Sequence, residues 1–442
     1  MSASPVTALV AALAMAAGAA SQPSAPAPVP VHATAQTPVA HADKAGGEAD
    51  ADDPAIWVHP DRPELSLVIG TLKKGGLEVY GLDGRRLQHL PAPAAPTPGA
   101  AVGRFNNVDV IHGFRLGGKK TDLALVSDRG RDRIRAYAID PAAVAAGRPP
   151  LRDVTASDVA PVFAADEQQV NEQRTSYGLT AYRDGGKSYV VVSRRNETRV
   201  GLLELKEQEG RVGYRTVDTI DLPHTFVLPD GTRWTPCEDP GERPQVEGMA
   251  VDREKRVLYA GQEDVGLWRV RVDGGKFGKP KLIDRVREYG VPWTYDEEEE
   301  CVLHTDQDPG FGGRSLSADA EGVTIYQAGK GAGYVIVSSQ GDDTFAVYRR
   351  TGGNEYVGSF AITDGPVTDG VRHSDGATVV NVPLGRDFPM GLLVTHDGEA
   401  TAEPGRDAAA TNFKFTPWEA VATAFPVPLT IDTGSFNPRD AR

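Results

Sequence analysis

A chain of 442 residues with a formal net charge of −14 offers no basic face to nucleic acid, whose binders present lysine and arginine to phosphates. Its 49 glycines and 33 prolines suit a β-rich protein with many tight turns. An acidic protein can still take an anionic ligand, provided that a cation stands between them.

The first twenty residues carry no charged side chain, and residues 6–20 form an alanine-rich apolar stretch ending in Ala-Gly-Ala-Ala. This reads as a signal peptide over 1–20; it is short and broken by glycine for a membrane span. Residues 21–44, rich in proline and alanine, read as a disordered linker. The rest, 45–440, reads as one secreted domain, extracellular or periplasmic, free of the membrane once the signal is removed, and monomeric. Two cysteines, Cys237 and Cys301, in an exported chain point to one disulfide, with two separate thiols as the alternative.

A pattern then recurs: a short apolar strand, a polar tip, and an alternating return strand. The copies are 66–70 with 76–80, 122–126 with 133–137, 188–192 with 200–204, 256–260 with 266–270, and 333–337 with 344–348. A truncated sixth runs through 390–394 into His396 and Asp397. Each copy reads as a β-hairpin by its period of two. A lone hairpin cannot bury its faces, whereas six arranged radially can, with few bare edges. The expected fold is all-β, a six-bladed propeller, with a β-sandwich or β-helix as the alternative.

Before the hairpins stand short apolar strands led by polar residues: Asp52-Asp53, Asn107-Val-Asp109, Tyr177-Gly, Glu247-Gly, Glu321-Gly and Asp375-Gly. In a propeller these are the innermost strands, and their leading residues ring one channel mouth. Asp52, Asp53, Asn107, Asp109, Glu247, Asp319, Glu321 and Asp375 would repel one another there without cations. Hard divalent ions answer this, and calcium takes six to eight oxygens in flexible geometry. There is no EF-hand loop: Asp306-Gln-Asp308 opens like one, but Ser317 stands where the bidentate glutamate belongs.

The hairpin tips supply Lys73, Lys74, Arg129, Arg194 and Arg195 at matching points of the first three copies. Ammonium and guanidinium groups hold phosphate oxygens well. Other phosphatase chemistries fit poorly. Cys237 and Arg243 have the spacing of a cysteine phosphatase loop, but Glu238, Asp239 and Glu242 between them would repel phosphate. Arg372-His373 does not continue as a histidine phosphatase motif, and no nucleophile elbow or Walker loop occurs. Metal-assisted hydrolysis without a covalent intermediate remains.

From about Ala45 to Arg439 the chain resembles the β-propeller phytases of bacteria. The resemblance rests on Asp52-Asp-Pro-Ala-Ile-Trp57, Asn106-Asn-Val-Asp109, Glu247-Gly-Met, Ser338-Ser-Gln-Gly341, 362–366 with Thr368-Asp-Gly370, Asn412-Phe-Lys, and Pro417-Trp-Glu, in the family's order. It implies a six-bladed propeller that hydrolyses phytate, the hexakisphosphate of inositol, or its calcium complex, with several catalytic and structural calcium ions. By motif, Lys73 matches the ligand of the scissile phosphate, and Arg129 and Tyr177 match its further ligands. Asp52, Glu247, Asp319 and Glu321 match the acids around catalytic calcium, and Glu263 matches a further site glutamate. Asn107, Asp109, Asp369 and Asp375 match positions tied to calcium, and Asp53 and Gln340 are counted with this metal set. Lys74 and Arg195 join the substrate set, Arg195 standing where the family has lysine. The family's aspartate upstream of Asp52 falls on Ala49, leaving Glu48 or Asp50 to replace it. Insertions at 224–245 and 287–318 precede Glu247 and Glu321, and a Cys237–Cys301 bridge would tie them over the site rim. The alternatives are a calcium-dependent propeller hydrolase of another class, such as a lactonase, and a non-enzymatic binding module.

Overall fold

In a computed structural model of the protein, residues 26–440 are described apart from 297, 299 and 407; the apolar stretch 6–20 lies outside them. Six sheets, antiparallel but for one added edge strand, form a six-bladed β-propeller. The innermost strands, in order, are Pro54–Trp57, Phe105–Leu116, Ser176–Asp184, Val246–Asp252, Ala320–Gln327 and Ala377–Val380. Each lies against the next, and the sixth returns to the first, which closes the ring. Adjacent blades bury apolar faces between them: Leu123 and Leu125 of the second, for example, share a core with Val190 and Val192 of the third.

The N-terminal segment departs from the expected disordered linker. Val29–Val31 pairs in parallel with Tyr356–Ile362 at the edge of the fifth blade. Ala35–Gln36 and Ala40–His41 pair antiparallel with Ala410–Pro417 of the sixth. The sixth blade contributes three strands from its own stretch of chain and would otherwise expose a bare edge. Strands of two or three residues amid proline and alanine carry no legible alternation, so composition alone reads as linker.

The repeated glycines have a packing cause. A Cβ built on Gly178 would stand 2.0 Å from the carbonyl oxygen of Glu247, on Gly248 2.1 Å from that of Glu321, and on Gly322 2.5 Å from that of Asp375. Neighbouring inner strands therefore meet backbone to backbone at the mouth. Gly248→Ala is expected to cost about 1–3 kcal/mol through forced backbone shifts. A denaturant midpoint equal to that of the wild type would contradict this close packing.

The two insertions fold as one body. The hairpin of Phe226–Val227 and Arg233–Trp234 packs with that of Trp293–Asp296 and Glu300–Leu303. Trp234 Nε1 donates to Val291 O (2.9 Å) and Trp293 Nε1 to Thr235 O (2.7 Å). Cys237 and Cys301 are joined as a disulfide, their Cα atoms 5.8 Å apart. The channel narrows to a cavity of about 180 Å³ lined in part by Asp109, Arg183 and Arg253, with Phe436 and Pro438 of the C-terminal tail against it. Among the described residues no helix is long and apolar enough to cross a membrane.

Candidate active site

One hydrogen-bonding rule places the rim residues. In blades two to five the residue after the second strand donates its N–H to the residue just before the innermost strand. Arg129 donates to Arg104 O (2.8 Å), Arg195 to Thr175 O (2.9 Å), Glu263 to Gln245 O (3.1 Å) and Gln340 to Asp319 O (2.9 Å). The first blade joins through Phe105 N to Lys73 O (3.1 Å). Lys73, Arg129 and Arg195 therefore occupy one side of the mouth, and Glu263 and Gln340 the other. The inner strands add a second device. Their pairing registers slip across Asn106-Asn107, Tyr177-Gly178, Glu247-Gly248 and Glu321-Gly322. A bulge of this kind breaks the alternation and re-aims a side chain.

On the acidic side one carboxylate oxygen from each of Glu247, Glu263 and Glu321 lies within 4.8 Å of the others. All three residues are buried. Oε1 of Glu263, Oε2 of Glu321 and Oδ2 of Asp52 are buried without a hydrogen-bond partner. Burial, then the charge of Asp52, pushes the Glu247 carboxyl up to about 7. Burial, then Glu288, pushes Asp319 up to about 6. Asp375 also rises to about 6 by burial, against the pull of Lys73. Glu263 and Glu321 are driven well above the ordinary range by burial and by their acidic neighbours. Crowded and buried in this way, the carboxylates are costly to ionise together without a cation among their oxygens. An all-oxygen donor set with partnerless buried oxygens fits a hard divalent ion.

The basic side is wired into this cluster. Lys73 Nζ lies 2.8 Å from Asp50, 3.6 Å from Asp375 and 3.7 Å from Asp52. These three carboxylates hold its ammonium well above the usual lysine range despite burial. Arg129 Nη1 donates to Asn106 Oδ1 (2.9 Å), and its guanidinium stands 5.3 Å from the Tyr177 ring centre. Asn106 Nδ2 donates to Glu247 Oε1 (2.6 Å), and the Tyr177 hydroxyl donates to Glu247 Oε2. Gln340 Nε2 donates to Asp375 Oδ1 (2.7 Å), and Gln245 Nε2 to Glu263 Oε2 (2.9 Å).

Other residues named from sequence lie elsewhere. Asp53 accepts from Val108 N (3.0 Å), and Asn107 and Asp109 line the channel below the mouth. Asp109 accepts from Ala181 N (2.7 Å) and so ties the second blade to the third. Asp369 is apart from the cluster, accepting from Thr401 N (2.6 Å) and from the ammonium of Lys414. Lys74 pairs with Glu48 (3.0 Å), away from Lys73. Between the two replacements for Ala49, Asp50 faces Lys73 and Glu48 does not. Sequence reading missed Asn106, which stands where alternation points to Asn107, because of the bulge. It also missed Arg104 and Gln245, whose places follow only from the rim hydrogen bonds. Glu238, in the first insertion, comes against Asp264; burial, ahead of nearby Asp319, pushes its carboxyl up to about 8.

Comparison with known proteins agrees with this arrangement. The sequence profile of the phytase family matches residues 2–196 and 290–442. A 3-phytase of Bacillus subtilis (strain 168) is 33% identical over 383 residues, covering 86% of this chain and 82% of its own. Among solved structures, the β-propeller domain of Cps50 (Swd1) from Myceliophteria thermophila aligns at 11% identity over 83% of each chain with a TM-score of 0.36, too loose to bear on fold or chemistry.

Proposed function

The chain belongs to the phytase family, and from that premise we propose that its propeller mouth releases phosphate from phytate with calcium as the metal. The observation that carries the reading is a buried oxygen-only carboxylate cluster beside the guanidinium groups of Arg129 and Arg195, which have no carboxylate partner among the described residues. Asp52, Glu247, Glu263, Asp319, Glu321 and Asp375, with Gln340 beside them, are the residues that would hold the metal at the mouth. Asp53, Asn107, Asp109 and Asp369 belong to structural positions. When bound, calcium supplies charge neutralisation for the substrate's phosphates and acidifies a water for attack on phosphorus.

The protein groups do the rest. Lys73 and Arg129 face the transferred phosphate and stabilise its developing charge, with Tyr177 positioned beside them. Glu247, fixed by Asn106 and Tyr177 and raised toward neutrality, takes the proton of the attacking water. Arg195 holds a second phosphate of the same substrate. No side chain is asked to form a covalent intermediate. We read the protein as secreted, which the disulfide supports, and as a monomer.

Phosphate release from phytate is expected to fall to background in excess EDTA and to return when calcium is added in excess. Undiminished release in EDTA would refute the metal's part in the reaction.

A further inference from the structure

Arg104 has no role in the chemistry above, yet it occupies a site position. It is the second blade's counterpart of Thr175, Gln245 and Asp319, each the residue just before an innermost strand. Gln245 reaches Glu263 from that position (2.9 Å), and Asp319 stands in the acidic cluster. The backbone of Arg104 is locked to the second blade's tip. Its N–H donates to Asp128 Oδ1 (3.0 Å), and its carbonyl accepts from Arg129 N (2.8 Å) and Gly130 N (3.4 Å). A Cβ on Gly130 would stand 2.6 Å from Arg104 N, so this segment lies flush against the tip.

The side chain is held there without a counter-charge. Among the described residues, neither Arg104, Arg129 nor Arg195 has a carboxylate within 4.0 Å, and the Nε of each is buried without a partner. The neighbouring Arg131 and Arg135 are both ion-paired, at 2.7 and 2.8 Å. The charges that act on Arg104 are Arg129 and Arg195, which repel it, and Asp52 and Asp50, which attract it from beyond pairing distance. Its segment lies between the two basic tips: Phe105 N donates to Lys73 O (3.1 Å) on one side, and Arg104 O accepts from Arg129 N (2.8 Å) on the other. Three guanidinium groups gathered at one partly buried rim, with donors unmatched, are costly unless an anion joins them.

We infer that Arg104 is a phosphate ligand, completing a three-arginine receptor with Arg129 and Arg195 that selects substrates bearing more than one phosphate. The inference rests on the function proposed above and adds a specificity residue to it. A planar guanidinium takes two oxygens of one phosphate, so a molecule with phosphates on neighbouring carbons engages Arg104 while another phosphate lies at Lys73.

The test compares wild type, Arg104→Ala and Arg104→Lys on phytate and on p-nitrophenyl phosphate, which has no second group to place. Arg104→Ala is expected to raise KM for phytate about 10–100-fold, as for a lost charge-assisted hydrogen bond, with a smaller change in kcat. The preference for phytate over the monoester falls at least about tenfold in kcat/KM, and lysine recovers part of it. Calorimetric binding of inositol hexasulfate, which needs no turnover, weakens by the same factor as KM. An unchanged KM for phytate, an equal loss on both substrates, or unchanged hexasulfate affinity overturns the inference. A wild type that releases no phosphate defeats the proposed function instead, and the hexasulfate affinities then decide for or against Arg104. Both variants should melt with the wild type, because the structural bonds of Arg104 are made by its backbone.

Discussion

Glu247→Gln is expected to reduce phosphate release from phytate by about two to four orders of magnitude, the range for loss of a positioned general base. The substitution is nearly isosteric, and the surroundings tolerate it. Asn106 Nδ2 now donates to Oε1 of the glutamate at 2.6 Å and can donate equally to an amide oxygen. The Tyr177 hydroxyl, which donates to the other carboxylate oxygen, can turn and accept from the amide nitrogen. What is lost is the negative charge and the capacity to take a proton. The metal-free protein should not become less stable, since Glu247 crowds Asp53, Glu263, Glu321 and Asp375 and raises the pKa of each. Initial rates paired with melting in EDTA separate the two effects. A variant that keeps activity within about tenfold of wild type would remove Glu247 from the reaction.

Metal-free protein should lose stability as the pH rises from about 4 to about 7, and calcium should abolish that loss. The cause is the crowding of the mouth. Burial first, then neighbouring acids, hold Glu247 at about 7 and Asp319 at about 6 in the folded chain. Asp375 is held at about 6 by burial, which outweighs Lys73. The same groups titrate near about 4 when unfolded. Between these values the folded state binds more protons than the unfolded state, so raising the pH favours unfolding, and Glu238, held at about 8 chiefly by burial, carries the effect further. Calcium bound only by the folded chain contributes about 4 kcal/mol per site at a thousandfold excess over its Kd. It competes with protons for the same oxygens, so its stabilisation grows as the pH rises. Melting curves at about pH 5 and about pH 7.5, in EDTA and in calcium, provide the measurement. A chelated protein that melts higher at the upper pH would show that the cluster is not held protonated.

Much of this site was legible from local chemistry. The hairpin tips placed Lys73, Arg129, Arg195 and Glu263 because a strand of period two must end in a turn whatever the fold. The leading carboxylates Asp52, Glu247, Glu321 and Asp375 were legible because a glycine, or for Asp52 the Asp53-Pro54 pair, carries each into an apolar strand, and the motif recurs. Two cysteines behind a stretch that reads as a signal peptide made a Cys237–Cys301 bridge the expectation, and the disulfide is present.

Other features depend on partners that are remote in sequence. Val29–Val31 and Ala35–Gln36 are strands only because Tyr356–Ile362 and Ala410–Pro417 offer open edges more than three hundred residues away. Asn106 rather than Asn107 meets Glu247 because a bulge, which no composition reveals, breaks the alternation. Asp369, counted with the metal set from its motif, meets Thr401 N and the Lys414 ammonium, partners that its motif does not show. Amino-acid sequence by itself determined the repeating strands, their turns and the charge carried at each tip, because these follow from neighbours along the chain. Tertiary structure alone decided which tips share one mouth, which oxygens are left partnerless there, and that Arg104 stands among them, because burial and charge density arise only when six blades close around one axis.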